Sequence, residues 1–255
     1  MGDGRSRLAR SLVSYLPSEG LITLRRLRAL PAAIARRPHE DDFLAFRDFR
    51  RPNPVIVDVG ANRGQSVMSF HRTIGTAQIH CFEPNPFLHG ELQRFGVEIN
   101  GVALGARDGE IDLYVPRYGH TLYDTRAALD EATAANFLSD THFAGFRPGR
   151  AGVEHLTVAI TTLDSFALAP DIIKIDVEGG GADVIAGARH TIAAHRPLLM
   201  FEDDAGESAA LVADLGYELA RFDPGARSLV KGQAGDPNSF LVHPHHVGLL
   251  AVHVV

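Results

Sequence analysis

The 255-residue chain has no tryptophan, one cysteine, and only two lysines against 23 arginines. A single cysteine, Cys81, excludes an internal disulfide and any thiolate zinc cluster. It lies in an apolar run that reads as a buried strand, where a thiol packs rather than reacts. No apolar run approaches the roughly 18 residues of a membrane-spanning helix. The opening Met-Gly-Asp-Gly-Arg-Ser has no secretory apolar segment. These absences give the expectation of a soluble, cytoplasmic protein without stable membrane insertion. Excess positive charge is also missing: the net charge of −6 argues against a general nucleic-acid binder, so no nucleic-acid partner is expected. Internal repeats and low-complexity tracts are absent. The arginine bias, with abundant alanine, points to a GC-rich genome and carries no mechanism.

What is present is ordinary globular composition, 45% apolar and 22% charged, in a length that suits one large α/β domain. Charge is uneven. Residues 1–51 hold eleven arginines against six acids, which leaves about −11 for the rest. Helical spacing of Leu, Ile and Ala covers 5–16 and 21–37, broken by Pro17 and Pro31, and a third short helix is predicted at 40–49. These basic helices suit a cap on the sheet or a homodimer contact; a solvated helical face is the plainer alternative. Arg51-Pro52-Asn53-Pro54 reads as the stop before the main fold, which divides the chain into a helical extension, 1–51, and a domain, 52–255.

From residue 55 strands and helices alternate, as in a parallel sheet covered on both faces. Strands are predicted near 55–59, 79–83, 97–104, 172–177, 197–202, 217–222 and 238–243, and helices over 64–74, 86–94, 181–194 and 206–215. The stretch 105–171 interrupts this rhythm with a strand at 111–115, a helix near 126–139, a Gly/Arg-rich loop at 144–152 and a strand at 153–161. An insertion of that size between core strands suits a substrate lid.

The chemistry concentrates where strands end. Val55-Ile-Val-Asp58-Val-Gly60-Ala61-Asn62-Arg-Gly64 runs from an apolar strand into a glycine turn that opens a helix, so backbone N–H groups can approach a ligand closely. Nineteen residues past Gly64, a second strand ends in Glu83, a carboxylate suited to the two hydroxyls of a ribose. A dinucleotide fingerprint requires a glycine where Asn62 stands, and a pyrophosphate would be crowded there. S-adenosylmethionine fits the turn better, with its methionine part over the turn and its ribose near Glu83. A second anchor, Ile172-Ile-Lys174-Ile-Asp176-Val-Glu178-Gly179, ends a buried strand with two carboxylates. They can hold the cofactor's ammonium, orient a substrate hydroxyl or take its proton; pairing with Lys174 or helix capping are the alternatives. Glu202, followed by Asp203 and Asp204, closes the next strand. It can reach the same rim or, with Asp176, form a divalent-metal site of hard oxygen ligands, and helix capping again competes. His120 and His142, in the insertion, would suit a base for a hydroxyl if the insertion closes over the site. Tyr118, Tyr123 and Arg126 there are candidates for polyol contact. His243, His245 and His246 share no acid in sequence and read as surface residues.

Taken together, Val57-Asp-Val-Gly-Ala-Asn-x-Gly64-Gln65, Cys81-Phe-Glu-Pro-Asn-Pro86, Val102-Ala-Leu-Gly105, Thr162-Leu-Asp164 and Ile173-Lys-Ile-Asp-Val-Glu-Gly179 resemble the FkbM family of S-adenosylmethionine-dependent methyltransferases. The resemblance covers about 52–204, with the five motifs in order. It implies a class I methyltransferase fold: a Rossmann-like, mostly parallel sheet of seven strands with helices on both faces. It also implies O-methylation of hydroxyls on sugars, polysaccharide precursors, glycolipids or polyketides. Carried over by position, Asp58, Gly60, Ala61, Asn62, Gly64 and Gln65, with Ser66, would wrap the methionine part. Glu83 would take the ribose, with Pro84 and Asn85 beside it, and Asn100, Ala103 and Asp108 would lie near the adenine. Asp176 and Glu178 would face the reaction centre. One departure stands out: the family's further glutamate, two residues past this run, is replaced by Gly181.

The resulting expectation is an O-methyltransferase acting on a small saccharide acceptor, with Asp176, Glu202, His120 and His142 as candidates for assisting loss of the hydroxyl proton. The rivals are a nicotinamide-dependent dehydrogenase, against which Asn62 speaks, and a nucleoside-binding protein with weakened catalysis, for which Gly181 speaks.

Overall fold

The computed structural model describes residues 37–143, 145–177, 179–202 and 205–255. The helices expected over 5–16 and 21–37 lie, apart from Arg37, outside the described residues. The chain divides into two compact units, Arg36–Gly109 with Ala159–Val255, and a second containing Glu110–Val158. In chain order the strands are β1 (Val55–Val59), β2 (Gln78–Phe82), β3 (Glu98–Asn100), β4 (Ala103–Leu104), β5 (Gly109–Tyr118), β6 (Thr121–Leu122) and β7 (Ala151–Thr161). They continue as β8 (Ile172–Ile175), β9 (Leu198–Glu202), β10 (Glu218–Asp223), β11 (Ser228–Lys231), β12 (Asn238–Val242) and β13 (His253–Val254). The helices are α1 (Gln65–Thr73), α2 (Pro86–Leu92), α3 (Glu131–Phe137), α4 (Gly181–Gly187), α5 (Arg189–His195) and α6 (Ala205–Val212).

Among the described residues the larger unit holds a sheet of nine strands in the order β13-β11-β10-β12-β9-β8-β1-β2-β3. The seven expected strands form a continuous block from β3 to β10. Pairing is parallel from β3 through β9 and antiparallel where β12 meets β9 and β10. This is the α/β, Rossmann-like architecture of class I methyltransferases, enlarged at one edge by β11 and β13. Those two strands are four and two residues long, too short for a two-residue alternation to register.

The centre of the sheet is apolar because both faces are covered. Along β1 and β8 the side chains alternate between two cores. Ile56 and Ile172 join Val67, Phe70 and Cys81 on one face; Val57, Val59, Ile173 and Ile175 join Phe82, Val184 and Ile185 on the other. Cys81 is fully buried, and burial pushes its thiol well above the ordinary range. The segment predicted as a helix at 40–49 forms a 3-10 helix, Asp41–Phe46. Its Phe43 and Phe46 rings lie 5.1 Å and 5.3 Å from Phe70, so this segment is part of the first core.

Two expected elements divide. The strand at 97–104 becomes β3 in the main sheet and β4, which pairs in parallel with Ile160 and Thr161 at the end of β7. The helix at 181–194 becomes α4 and α5, broken at Ala188. At the break, a Cβ on Gly187 would sit 1.9 Å from the Gly105 carbonyl oxygen, so backbone meets backbone there.

In the second unit β5 turns back through β6, and the helix expected near 126–139 spans only α3. Asp130 caps α3 by accepting from the Thr133 N–H at 2.8 Å. Its core is aromatic: Tyr118, Tyr123 and Phe143, with Phe137 and Phe146 packed against them. Tyr118 and Tyr123 are 2% and 4% exposed, and the Tyr118 hydroxyl accepts from the Arg147 N–H. They are therefore packing residues rather than surface contacts for a polyol. No helix among the described residues is long and apolar enough to cross a membrane.

Candidate functional site

The carboxyl ends of β1, β2 and β8 meet at one rim. After β1 the backbone enters the left-handed region at Gly60 (φ 76°), Asn62 (φ 49°) and Gly64 (φ 82°). A Cβ on Gly60 would lie 1.9 Å from the Asp176 carbonyl oxygen, and the Asp176 N–H donates to Val59 O at 3.0 Å. The turns leaving β1 and β8 are thus in backbone contact. Gly64 caps α1, and a Cβ there would strike the Phe95 ring at 2.5 Å. Ala61 is buried and Gln65 is exposed.

Glu83, 6% exposed, ties the two turns together. Its Oε2 accepts from the Asn62 N–H and its Oε1 from the Asn85 N–H, both at 2.9 Å. Burial pushes its carboxyl above the ordinary range; the two N–H groups work the other way. Each oxygen retains a further lone pair. Asn85, beside the half-buried Pro84, caps α2 through its side chain. Asn100 ends β3; its carbonyl accepts from the Glu83 N–H and its amide donates to Cys81 O. Ala103 is buried, and the exposed Asp108 accepts from Thr161 Oγ1 at 2.6 Å.

Beneath the turn, Asp58 is fully buried. Its Oδ2 accepts from the Ser66 hydroxyl, and its Oδ1 has no hydrogen-bond partner. A cation, Lys174 Nζ, is 3.8 Å from that Oδ1 and donates to Asp176 Oδ2 at 2.8 Å. Burial raises the Asp58 carboxyl; Lys174 and Ser66 oppose it without prevailing. Burial also opposes the charge on Lys174, but Asp58 and Asp176 outweigh it and hold that ammonium above the ordinary lysine range. Asn62 Oδ1 is a second buried oxygen without a hydrogen bond. Two orphaned acceptors at one turn call for donors from a ligand.

Asp176 is 44% exposed at the rim. Glu202 ends β9, half-buried and in register with Asn238. Glu178, Asp203 and Asp204 lie outside the described residues. His120 and His142 belong to the second unit. His120 is exposed between β5 and β6, and His142, also exposed, sits 3.3 Å from Ser139 Oγ and against Phe137. His246 is buried rather than on the surface, accepting from the His243 N–H and bonded to Arg196 O. At Gly181 a Cβ would meet only ordinary contacts, the nearest being Ser208 Oγ at 3.8 Å, and that buried hydroxyl has no hydrogen-bond partner. Among the described residues no group of three or more His, Cys, Asp or Glu could hold a metal ion.

Sequence reasoning missed a group at the same rim. His39 bonds Ser69 on α1, its ring Nδ1 2.7 Å from the hydroxyl. Its Nε2 is 3.3 Å from Glu40 Oε1. Asn238 Nδ2 donates to Glu40 Oε2 at 2.8 Å and to Asp42 Oδ2 at 3.1 Å. The His-Glu-Asp-Asp run is visible in sequence as a helix start, but nothing local ties it to a strand almost 200 residues away.

The model of the Methyltransferase FkbM domain matches residues 58–219. The chain belongs to the FkbM methyltransferase family. Among curated proteins it is similar to the 2-O-methyltransferase NoeI of Sinorhizobium fredii (strain NBRC 101917 / NGR234), 29% identical over 149 residues that cover 56% of this chain and 60% of the relative. The chain therefore spans less than two thirds of that relative's length. Among solved structures it is similar to the FkbM methyltransferase of Methylobacillus flagellatus KT, with a TM-score of 0.47 and 17% identity, covering 78% of this chain and 48% of the other. It is also similar to the precorrin-6y C5,15-methyltransferase of Geobacter metallireducens GS-15, with a TM-score of 0.36 and 12% identity, covering 78% and 82%. The FkbM-matched segment contains the glycine turn, Glu83, Lys174, Asp176 and Glu202; His39, Glu40 and Asp42 precede it.

Proposed function

We propose that this FkbM-family methyltransferase transfers a methyl group from S-adenosylmethionine to a hydroxyl of a sugar or polysaccharide precursor. The observation that carries the cofactor reading is the pair of buried oxygens without hydrogen bonds, Asp58 Oδ1 and Asn62 Oδ1, on the turn that Glu83 braces. S-adenosylmethionine brings donors to such a turn, an ammonium and two ribose hydroxyls. Over the same turn a dinucleotide would place its pyrophosphate, which offers acceptors only where S-adenosylmethionine offers its ammonium. The dehydrogenase reading is disfavoured on that ground.

When bound, the cofactor supplies an electrophilic methyl on a sulfonium. The chain's own residues bind and orient. Asp58 and Asn62 accept from the methionine part, with Gly60, Ala61, Gly64, Gln65 and Ser66 shaping the turn. Glu83, beside Pro84 and Asn85, takes the ribose hydroxyls with its remaining lone pairs, and Asn100, Ala103 and Asp108 border the base. Lys174 donates to one oxygen of Asp176 and fixes it, while the exposed carboxylate can accept the acceptor hydroxyl's proton. Glu202, His120 and His142 are the further candidates for that proton. Glu178 stands with Asp176 in the cofactor reading. Transfer to an oxygen is supported by the name of the relative, a 2-O-methyltransferase.

The test is calorimetry of the purified protein with S-adenosylhomocysteine and with reduced nicotinamide dinucleotide. Labelled methyl transfer to a panel of saccharides then follows. Binding of the nucleoside and not the dinucleotide is expected; the reverse would overturn the reading.

A further inference from the structure

Glu83 is held at its backbone as well as at its carboxylate. Its N–H donates at 3.0 Å to the carbonyl of Asn100, where β3 ends. Its own carbonyl is taken by a side chain: His89 Nε2, on α2, lies 2.6 Å from Glu83 O. A carbonyl only accepts, so that ring nitrogen carries the proton and donates. The half-buried ring also packs on the loop after β3. A Cβ on Gly101 would lie 3.0 Å from His89 Cε1, inside the ~3.5–4.0 Å at which carbon atoms pack. Two residues further along α2, Glu91 pairs with Arg63 of the glycine turn. Helix α2 is thereby tied both to the turn and to the end of β2. The peptide plane that His89 grips joins Glu83 to Pro84 and leads directly to Asn85, whose N–H is one of the two donors on the Glu83 carboxylate. Orientation of that plane sets where the Asn85 N–H stands, and with it the direction in which the carboxylate's unused lone pairs face. His89 lies between the Cys81–Pro86 and Val102–Gly105 motifs and belongs to neither.

We propose that His89 is a positioning residue for ribose recognition: by donating to the Glu83 carbonyl it aims the Glu83 carboxylate at the ribose hydroxyls of the nucleoside. The inference rests on the cofactor reading above. His89 acts through Glu83. It removes the freedom of one peptide plane, so the carboxylate meets the hydroxyls without reorganising. A hydrogen bond to a charged group discriminates against an analogue that lacks the hydroxyl by about ten-fold or more in dissociation constant. That discrimination depends on the aim of the carboxylate, whereas the base and the methionine part bind through other residues.

The experiment is isothermal calorimetry of the full chain with S-adenosylhomocysteine and, separately, with its 2′-deoxyribose analogue. The proteins are the wild type, His89→Leu, His89→Gln, Gly101→Ala and the remote control His253→Leu. Leu cannot donate; Gln offers an amide N–H at similar reach. Gly101→Ala pushes the ring from its seat while leaving its donor in place, and at an exposed position it tests the same contact should His89→Leu fail to fold. His253 is exposed on β13, at the opposite edge of the sheet from β3. In the wild type and His253→Leu the ribose form is expected to bind about ten-fold more tightly than the deoxy form. That ratio should fall to about three-fold in His89→Leu and Gly101→Ala, and return in His89→Gln. Equal weakening of both nucleosides in His89→Leu, with the ratio intact, would make His89 a structural tie only and overturn the inference. The same loss of ratio in His89→Gln as in His89→Leu would overturn it too. A wild type that binds the two forms equally, or binds neither, would overturn the ribose reading of Glu83 and this inference with it.

Discussion

Replacing Glu83 by alanine separates a binding carboxylate from a structural one. The side chain accepts two backbone N–H bonds at 2.9 Å, from Asn62 and Asn85, and is 6% exposed. Hydrogen bonds to a charged group contribute roughly 1.5–3 kcal/mol each, so removing both costs about 4 kcal/mol in gross terms. Burial of the carboxylate, which pushes its pKa up, offsets part of that. A net loss of about 3 kcal/mol is expected, near 6–12 °C in melting temperature for a chain of this size. Affinity is a separate readout. Two ribose hydroxyls bonded to an ionised carboxylate add about 3 kcal/mol of binding, a factor of about 100 in the dissociation constant. The assay is calorimetry with S-adenosylhomocysteine below the melting range of the variant, beside a thermal melt. The pH dependence has a definite sign. Because the folded carboxyl is raised, Glu83 protonates in the folded state before a free glutamate would, so nucleoside affinity falls with acid already above about pH 4.3. A lowered melting temperature with unchanged affinity would refute the reasoning and leave Glu83 as a brace between two turns.

Three further outcomes follow from the same physics. Lys174→Met removes the cation 3.8 Å from the buried Asp58 carboxyl, which must then take up a proton or stay charged in the core, and should cost about 3 kcal/mol, read as a large loss of melting temperature; a variant as stable as the wild type would refute that role for Lys174. His246, 1% exposed, has its pKa pushed down from 6.5 to about 4 by burial, the Arg196 carbonyl opposing. Protonation would destroy its acceptance from the His243 N–H, so stability is full above about pH 6.5 and falls by about 3 kcal/mol as the pH drops toward 4. Urea titrations across that window should show the decline, and His246→Asn should flatten it. Ser208→Ala removes a buried hydroxyl that has no hydrogen bond and should raise stability by about 1 kcal/mol, visible as a small upward shift in melting temperature.

Much of the central sheet was legible because its strands are short apolar runs punctuated by glycine, proline or acid. Val55–Val59 and Ile172–Ile175 are apolar apart from Asp58 and Lys174, and those two exceptions sit side by side in register. The glycine turn was legible for a similar reason: residues that tolerate positive φ stand immediately after a strand, where a ligand-facing turn needs them. Elements that depended on distant partners were not legible. The helix over 181–194 is continuous in pattern, yet the close approach of Gly187 to Gly105 accompanies its break into α4 and α5. The run at 97–104 is one apolar stretch, yet its halves pair with different strands, β2 and β7. Tyr118 and Tyr123 looked like surface polyol contacts because an insertion's own aromatic core leaves no periodic signature.

Sequence alone determined the alternation of strands and helices, the turn after Asp58, the acid after β2 and membership of a methyltransferase lineage, because each is written in neighbouring residues. Tertiary structure decided what holds each acid. Lys174 contacts Asp176 and lies near Asp58, while Glu40 rests on an amide 198 positions away. Charge balance depends on distances through space, and those are set only when the chain folds and brings the segment at 39–42 against the start of β12 and Lys174 beside β1.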